Sequence, residues 1–151
     1  MSLGDYFPRE QKLSVIQNYL LPGNILYIPC SFTTPRPKDK FLLLTCVNPQ
    51  LLFFVINSAI NQYVREKPNL LVCQAPLRAS DHPFLSHDSF VACNQTYPFE
   101  REYLQGQLLQ DMGRIKGVVA QSARDQILAA VKACPTLPKR EKEWILAEFA
   151  I

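Results

Sequence analysis

The sequence predicts an α+β fold: a small, strongly curved antiparallel sheet or barrel, preceded by one helix and followed by about three more. Three observations lead there. Short runs rich in aromatic and branched residues, separated by compact polar connections, fill the stretch from Asn24 to Cys93. From Phe99 onward apolar residues recur at three-to-four spacing instead. One helical stretch of the same kind stands alone ahead of the strands. At 151 residues the chain is one domain's worth, since compact domains usually run to about 100–150 residues. It reads as a single domain over 1–151, with a barrel core over 22–93 and a helical C-terminal extension over 99–151.

Pro8 opens the first helix, Leu13, Ile16, Tyr19 and Leu20 share one face, and Leu21-Pro22-Gly23 stops it. Residues 25–30 form the first strand, and 31–40 a loop in which Pro35 and Pro37 flank Arg36. Residues 41–60 are apolar enough to suggest a membrane span, but Asn48-Pro49-Gln50 would strand backbone polar groups in hydrocarbon. The same triplet is an ordinary turn between two buried strands, 41–47 and 51–56. Residues 70–75 are a further apolar run, and 89–93 read as the final strand. Residues 99–112 then form a helix through Tyr103, Leu104, Leu108 and Met112, ended by Gly113. Ser122 is expected to cap a helix bearing Ile127, Leu128 and Val131, which stops near Cys134-Pro135. Pro138 starts the last helix, with Trp144 and Phe149 as core anchors and residues 139–143 as a solvated charged face.

Composition excludes several classes. With 48% hydrophobic and 19% charged residues the chain cannot be globally disordered. A net charge of +3 permits a polyanionic partner without demanding one. The N-terminus shows no basic stretch followed by an apolar run and cleavage site, so a cytoplasmic protein is expected. The five cysteines are scattered and odd in number, which suits reduced, buried thiols. No metal or other cofactor is expected, because a zinc site wants ligands in short pairs. Five glycines, placed as they are, build no phosphate-binding loop. Serines are present, but no G-x-S-x-G elbow supports a hydrolase triad.

Two polar clusters can carry chemistry. Residues 80–89 hold both histidines, His82 and His87, with Asp81, Asp88 and Ser89 beside them. Imidazoles titrate near neutral pH, so this segment can supply a proton donor and acceptor. Alternatively the aspartates and serines merely turn the chain into a strand, with an imidazole bonded to a backbone carbonyl. Residues five apart in a loop have no fixed relation, so whether the two rings share a pocket stays open. The second cluster, around Arg36, Lys38 and Lys40, is a proline-stiffened loop displaying three cations. It suits phosphate contact, Arg36 offering a bidentate fork and the lysines point charges. Its plain alternative is a solvated hairpin connection.

The order Gly23-Asn24-Ile25-Leu26-Tyr27-Ile28-Pro29, a basic loop, then Lys40-Phe41-Leu42-Leu43-Leu44-Thr45, resembles the opening of the PemK/MazF-like toxin family. There a "G-D-I-hydrophobic-x-V-P" strand precedes a loop and an "R-P-A-L-V-L-S" strand. The later run from Asp81 to Val91 is similar to the "D-H-P-F-hydrophobic-x-H-x-S" element of divergent PemK-like proteins. The resemblance covers residues 22–93 and the trailing helices only in kind. It implies an SH3-like small barrel, commonly dimeric, that cleaves single-stranded RNA without a metal and is paired with an antitoxin protein. Lys40 stands where family members carry an arginine that stabilises charge on the phosphate, and Phe41 where they carry proline. Ser58 matches the family's catalytic Ser/Thr position. Cleavage would then use a ribose 2′-hydroxyl, with Arg36 or Lys40 at the phosphate, Ser58 orienting it and His82 or His87 moving protons. Lys38, Asp81, Asp88 and Ser89 would line the substrate site. A different class of function is a non-catalytic barrel that binds an antitoxin-like peptide or a second copy of itself. Neither reading involves a membrane.

Overall fold

The computed structural model describes residues 8–33 and 35–150. In chain order the elements are α1 (Arg9–Gln17), β1 (Asn24–Cys30), β2 (Lys38–Cys46), β3 (Leu51–Asn57), α2 (Gln62–Arg65), α3 (Pro68–Leu71), β4 (Gln74–Leu77), β5 (Ser89–Phe99), α4 (Arg101–Gln110), β6 (Ile115–Val118), α5 (Gln121–Ala133) and α6 (Lys139–Phe149). The strands form one curled antiparallel sheet in the order β4-β5-β3-β2-β1-β6. The chain adopts the expected α+β class, with one helix ahead of the strands and three longer ones toward the C-terminus, where β6 intervenes between α4 and α5.

Successive strand residues point to opposite faces, and here both faces are apolar and covered. Leu26, Ile28, Leu42, Leu44, Phe53 and Val55 pack with Ile16 and Leu20 at the end of α1 and with Leu104 and Leu108 of α4. Ile25, Leu43, Phe54, Ile56 and Val91 pack with Ile127 and Val131 of α5 and with Ile145 and Phe149 of α6. Continuous apolar strands such as Leu42-Leu43-Leu44 and Leu51–Ile56 follow from that double burial. All five cysteines are free and buried, as their apolar flanks suggest.

Several segments depart from expectation for local reasons. The run 70–75 divides between the end of α3 and the start of β4. The strand at Ser89 continues to Phe99, so Phe99 ends a strand instead of opening the helix, which starts at Arg101. A sixth strand, β6, comes from the segment read as helical and pairs with β1. Helix α5 is entered at Ala120, two residues before Ser122. No side chain caps it from that position; instead the Ala120 N–H donates to Nε2 of His82 at 3.0 Å, which fixes where the helix begins.

Gly23 ties the two halves of the sheet together. Its N–H donates to Leu44 O and its carbonyl accepts from Val119 N–H, both at 2.8 Å. Its φ of +99° suits glycine, and an added Cβ would meet the Arg124 guanidinium. No helix among the described residues is long and apolar enough to cross a membrane.

Candidate functional site

Beyond the helices on the α1/α4 face, the same strand positions turn polar. Leu42 and Leu44 are followed outward by Lys40 and Lys38, and Phe53 and Val55 by Asn57. These ends floor a groove of about 600 Å3, walled by Ser58, Asn61 and Val64 on one side and by Gln74, Asn94, Gln95 and Tyr97 on the other. Phe32, just after β1, stands at its mouth, stacked on Tyr97 with ring centroids 4.1 Å apart at 17°.

An irregularity in β5 builds the far wall. Ala92 lies opposite Val55 and Tyr97 opposite Phe53, so four β5 residues, 93–96, face Phe54 alone. Such a bulge re-aims side chains that a regular strand would send elsewhere, and Asn94, Gln95 and Tyr97 all reach the groove. The segment is held from behind: Thr136 Oγ1 donates to Asn94 O at 3.1 Å, and Thr96 Oγ1 bonds Glu141 of α6.

Lys40 is the central cation. It is half-buried, and its Nζ donates to Asn57 Oδ1 at 3.0 Å. Burial lowers its pKa below the ordinary 10.5; Cys30 opposes that shift and the neighbouring Lys38 adds to it. Among the described residues no carboxylate pairs with Lys38 or Lys40, the salt bridge here being Arg114–Asp39 at 3.6 Å. A partly desolvated ammonium with only a neutral amide as partner favours an incoming anion.

A smaller cavity of about 170 Å3 opens on the opposite face, where Tyr27, Phe41, Ile56 and Leu85 line it together with His87 and Ser89. Lys40 and Ser58 border both cavities. His87 is exposed, and its Nδ1 lies 3.0 Å from Ser86 Oγ.

The remaining expected residues are dispersed. His82 is fully buried: Nε2 accepts from Ala120, so the ring hydrogen sits on Nδ1 and is donated to Arg78 O at 2.7 Å. With both nitrogens bonded to backbone, the ring joins the turn at Arg78 to the start of α5, the arrangement of an imidazole bonded to a backbone carbonyl that the sequence also allowed. Arg36 is exposed and lines neither cavity; its carbonyl, 2.8 Å from Thr33 Oγ1, is the part of it that is engaged. Asp88 accepts from the Ala79 N–H at 2.8 Å and holds a turn, Asp81 lies exposed within that turn, and buried Ser89 donates to His87 O at 3.2 Å. Lys38, Lys40 and Ser58 therefore meet in one groove, His87 and Ser89 stand on the other side of the Lys40–Ser58 edge, and Arg36, His82 and Asp81 lie apart.

Sequence reasoning missed Asn57, Asn61, Gln74, Asn94, Phe32 and Tyr97. The available signal was the abrupt polar ending of apolar strands at Asn57-Ser58 and Asn94-Gln95. No group of His, Cys, Asp and Glu among the described residues is placed to hold a metal ion.

No protein-family model matches this chain, and no curated protein matches it. Among solved structures, it is similar to the Mycobacterium tuberculosis toxin MazF-mt6, at 16% identity over 73% of this chain and 94% of that one, with a TM-score of 0.47.

Proposed function

We propose that this chain is a PemK/MazF-like, toxin-related protein that binds single-stranded RNA in the groove over Lys38 and Lys40 and cuts it without a metal. The observation that carries the reading is Lys40, a half-buried cation with no carboxylate partner among the described residues, on the floor of a groove whose lining includes Lys38, amides, hydroxyls, aliphatic side chains and the rings of Phe32 and Tyr97. That mixture suits a strand whose phosphates need counter-charge and whose unpaired bases offer faces and polar edges. The resemblance of residues 22–93 to the family supports the same substrate.

In the cutting step a ribose 2′-hydroxyl attacks the adjacent phosphorus, the bond to the 5′-oxygen breaks, and the leaving oxygen takes up a proton. The products are a 2′,3′-cyclic phosphate and a 5′-hydroxyl, and no water is consumed. Lys40 offsets the charge that grows on the phosphate oxygens. Ser58 orients the phosphate, and His87 moves protons from across the Ser58 edge. Incubating the protein with a long single-stranded RNA in EDTA, beside Lys40→Ala and His87→Ala, tests this. Fragments from wild type that vanish in either variant support it; intact RNA from folded wild type overturns the cutting step.

A second reading is a non-catalytic module for an antitoxin-like peptide or a second copy of the chain. One observation favours it: among the described residues no imidazole or carboxylate lines the groove over Lys38 and Lys40. Salt separates the two, because phosphate binding weakens steeply with added salt whereas apolar self-association does not.

A further inference from the structure

Cys73, Cys93 and Cys134 are buried, free thiols of the same core, the one that α5 and α6 cover. Hydrogen bonds draw their chain segments together. Cys93 N–H donates to Cys73 O at 3.0 Å, and Thr136 Oγ1, which donates to Asn94 O at 3.1 Å, also lies 3.4 Å from Cys134 Sγ. Within the cluster the Cys73 and Cys134 side chains hydrogen bond one another, whereas Cys93 Sγ turns back to Val91 O of its own strand at 3.7 Å. The two paired sulfurs also touch the outer layer of the molecule. Cys73 Sγ lies 3.4 Å from Asn69 O in the single-turn helix α3, and both Asn69 and Thr136 are exposed.

We infer that Cys73 and Cys134 are a reversible thiol–disulfide pair, oxidised by a hydroperoxide, that clamps the end of α5 to the start of β4 behind the groove wall. Cys134 is the attacking sulfur. Burial opposes its ionisation, but hydrogen bonds from Cys73, from the Thr136 side chain and from the Thr136 and Leu137 N–H groups hold its pKa below the ordinary 9.0. Burial and the bond to Cys134 shift Cys73 the opposite way, so it keeps its proton. The Cys134 thiolate takes one peroxide oxygen, the O–O bond breaks, and a sulfenic acid forms as hydroxide leaves. Cys73 then displaces that oxygen: the S–S bond forms, the S–O bond breaks, and the Cys73 proton departs with the oxygen as water. In sum two thiols give up two electrons and two protons, and one peroxide becomes two waters. The chain over the sulfurs, one turn of α3 and the turn after Cys134, is short enough to open locally and admit a small oxidant. Gln74 follows Cys73, and Thr136 holds Asn94, so the new bond joins both supports of the wall.

The test is non-reducing peptide mapping by mass spectrometry after the folded protein has met hydrogen peroxide. Wild type should yield a linked Cys73–Cys134 peptide that dithiothreitol reverses, with Cys30, Cys46 and Cys93 still free. Cys134→Ser should abolish the linkage, and Cys73→Ala should leave Cys134 as a sulfenic acid that dimedone traps. In the oxidised protein amide exchange at Cys93 and Leu137 should slow by about tenfold or more, because a cross-link suppresses local opening. A linkage through Cys93 in place of Cys134, or thiols that react only once urea has unfolded the chain, would overturn the pair. Unchanged exchange in the linked protein would overturn the clamp.

Discussion

Replacing His82 with alanine separates a structural imidazole from a catalytic one. The ring is fully buried, and it joins the Arg78 carbonyl at 2.7 Å to the Ala120 N–H at 3.0 Å. Truncation orphans both backbone groups, each at about 1–3 kcal/mol. It also removes the edge contact with Phe84, whose ring centroid lies 5.9 Å away. The total is about 3–5 kcal/mol, close to the stability of many domains of this size. With roughly 2–4 °C lost per kcal/mol at this length, the thermal midpoint should fall by about 6–20 °C. Circular dichroism melts and urea titration read this directly, and RNA affinity per folded molecule should stay at the wild-type level. A midpoint shift below about 3 °C, or lost RNA activity with an unchanged midpoint, would refute the structural assignment of the ring.

Lys40→Ala should weaken RNA binding and lower the slope of log affinity against log salt by about 0.7, the single-strand value for one phosphate contact. Because burial lowers the Lys40 pKa, wild-type affinity should begin to decline below pH 10.5, and Lys40→Arg should move that decline to higher pH. Burial also raises the Cys30 and Cys46 thiols from 9.0 to about 11, so the folded chain keeps protons that the unfolded chain releases. Stability from these two groups is therefore complete below pH 9.0 and lost as pH climbs to about 11, which urea midpoints across that range should follow. Glu148 accepts from the Val47 N–H at 2.6 Å and the Asn48 N–H at 3.3 Å, so Glu148→Ala should cost about 2 kcal/mol in urea titration.

Strands were legible wherever branched and aromatic residues ran between turn signals, because burial on both faces of the sheet leaves little room for polar residues. The 48–50 turn was legible for the converse reason. β6 was not: Ile115-Lys116-Gly117-Val118 is four residues at a sheet edge, and its support comes from β1, remote in sequence. The end of β5 was hidden by its bulge, since Asn94-Gln95-Thr96 breaks the alternation on which a strand reading depends. Of the residues that share the groove, Lys38 and Lys40 stood out in the sequence as cations of a proline-stiffened loop, whereas Ser58 entered only through the family resemblance. The burial of His82 was not legible, because Asp81 and Pro83 make its surroundings look like loop and its partners Arg78 and Ala120 become neighbours only on folding. Asn94 and Gln74 carry no distinctive spacing; their pairing in the groove wall arises from hydrogen bonds made only on folding.

Covering both faces of one sheet also decides where function can sit. α1 and α4 seal one face and α5 and α6 the other, so polar groups that meet solvent are confined to strand ends beyond the helices. Lys38, Lys40 and Asn57 lie at such ends. The C-terminal helices and the turn between them do more than cover the sheet, since Thr136 of that turn and Glu141 of α6 bond the bulge that aims Asn94 and Tyr97 into the groove. Those helices and the groove are therefore one mechanical unit. Loosening the contact behind Asn94, as Thr136→Val would, should weaken RNA binding in anisotropy titrations without changing its salt dependence, since Lys38 and Lys40 lie on the separate strand β2. The topology separates the two: Lys40 sits on a strand between two others, and Gln74 and Asn94 sit on β4 and on a bulged strand held in place by side chains from behind.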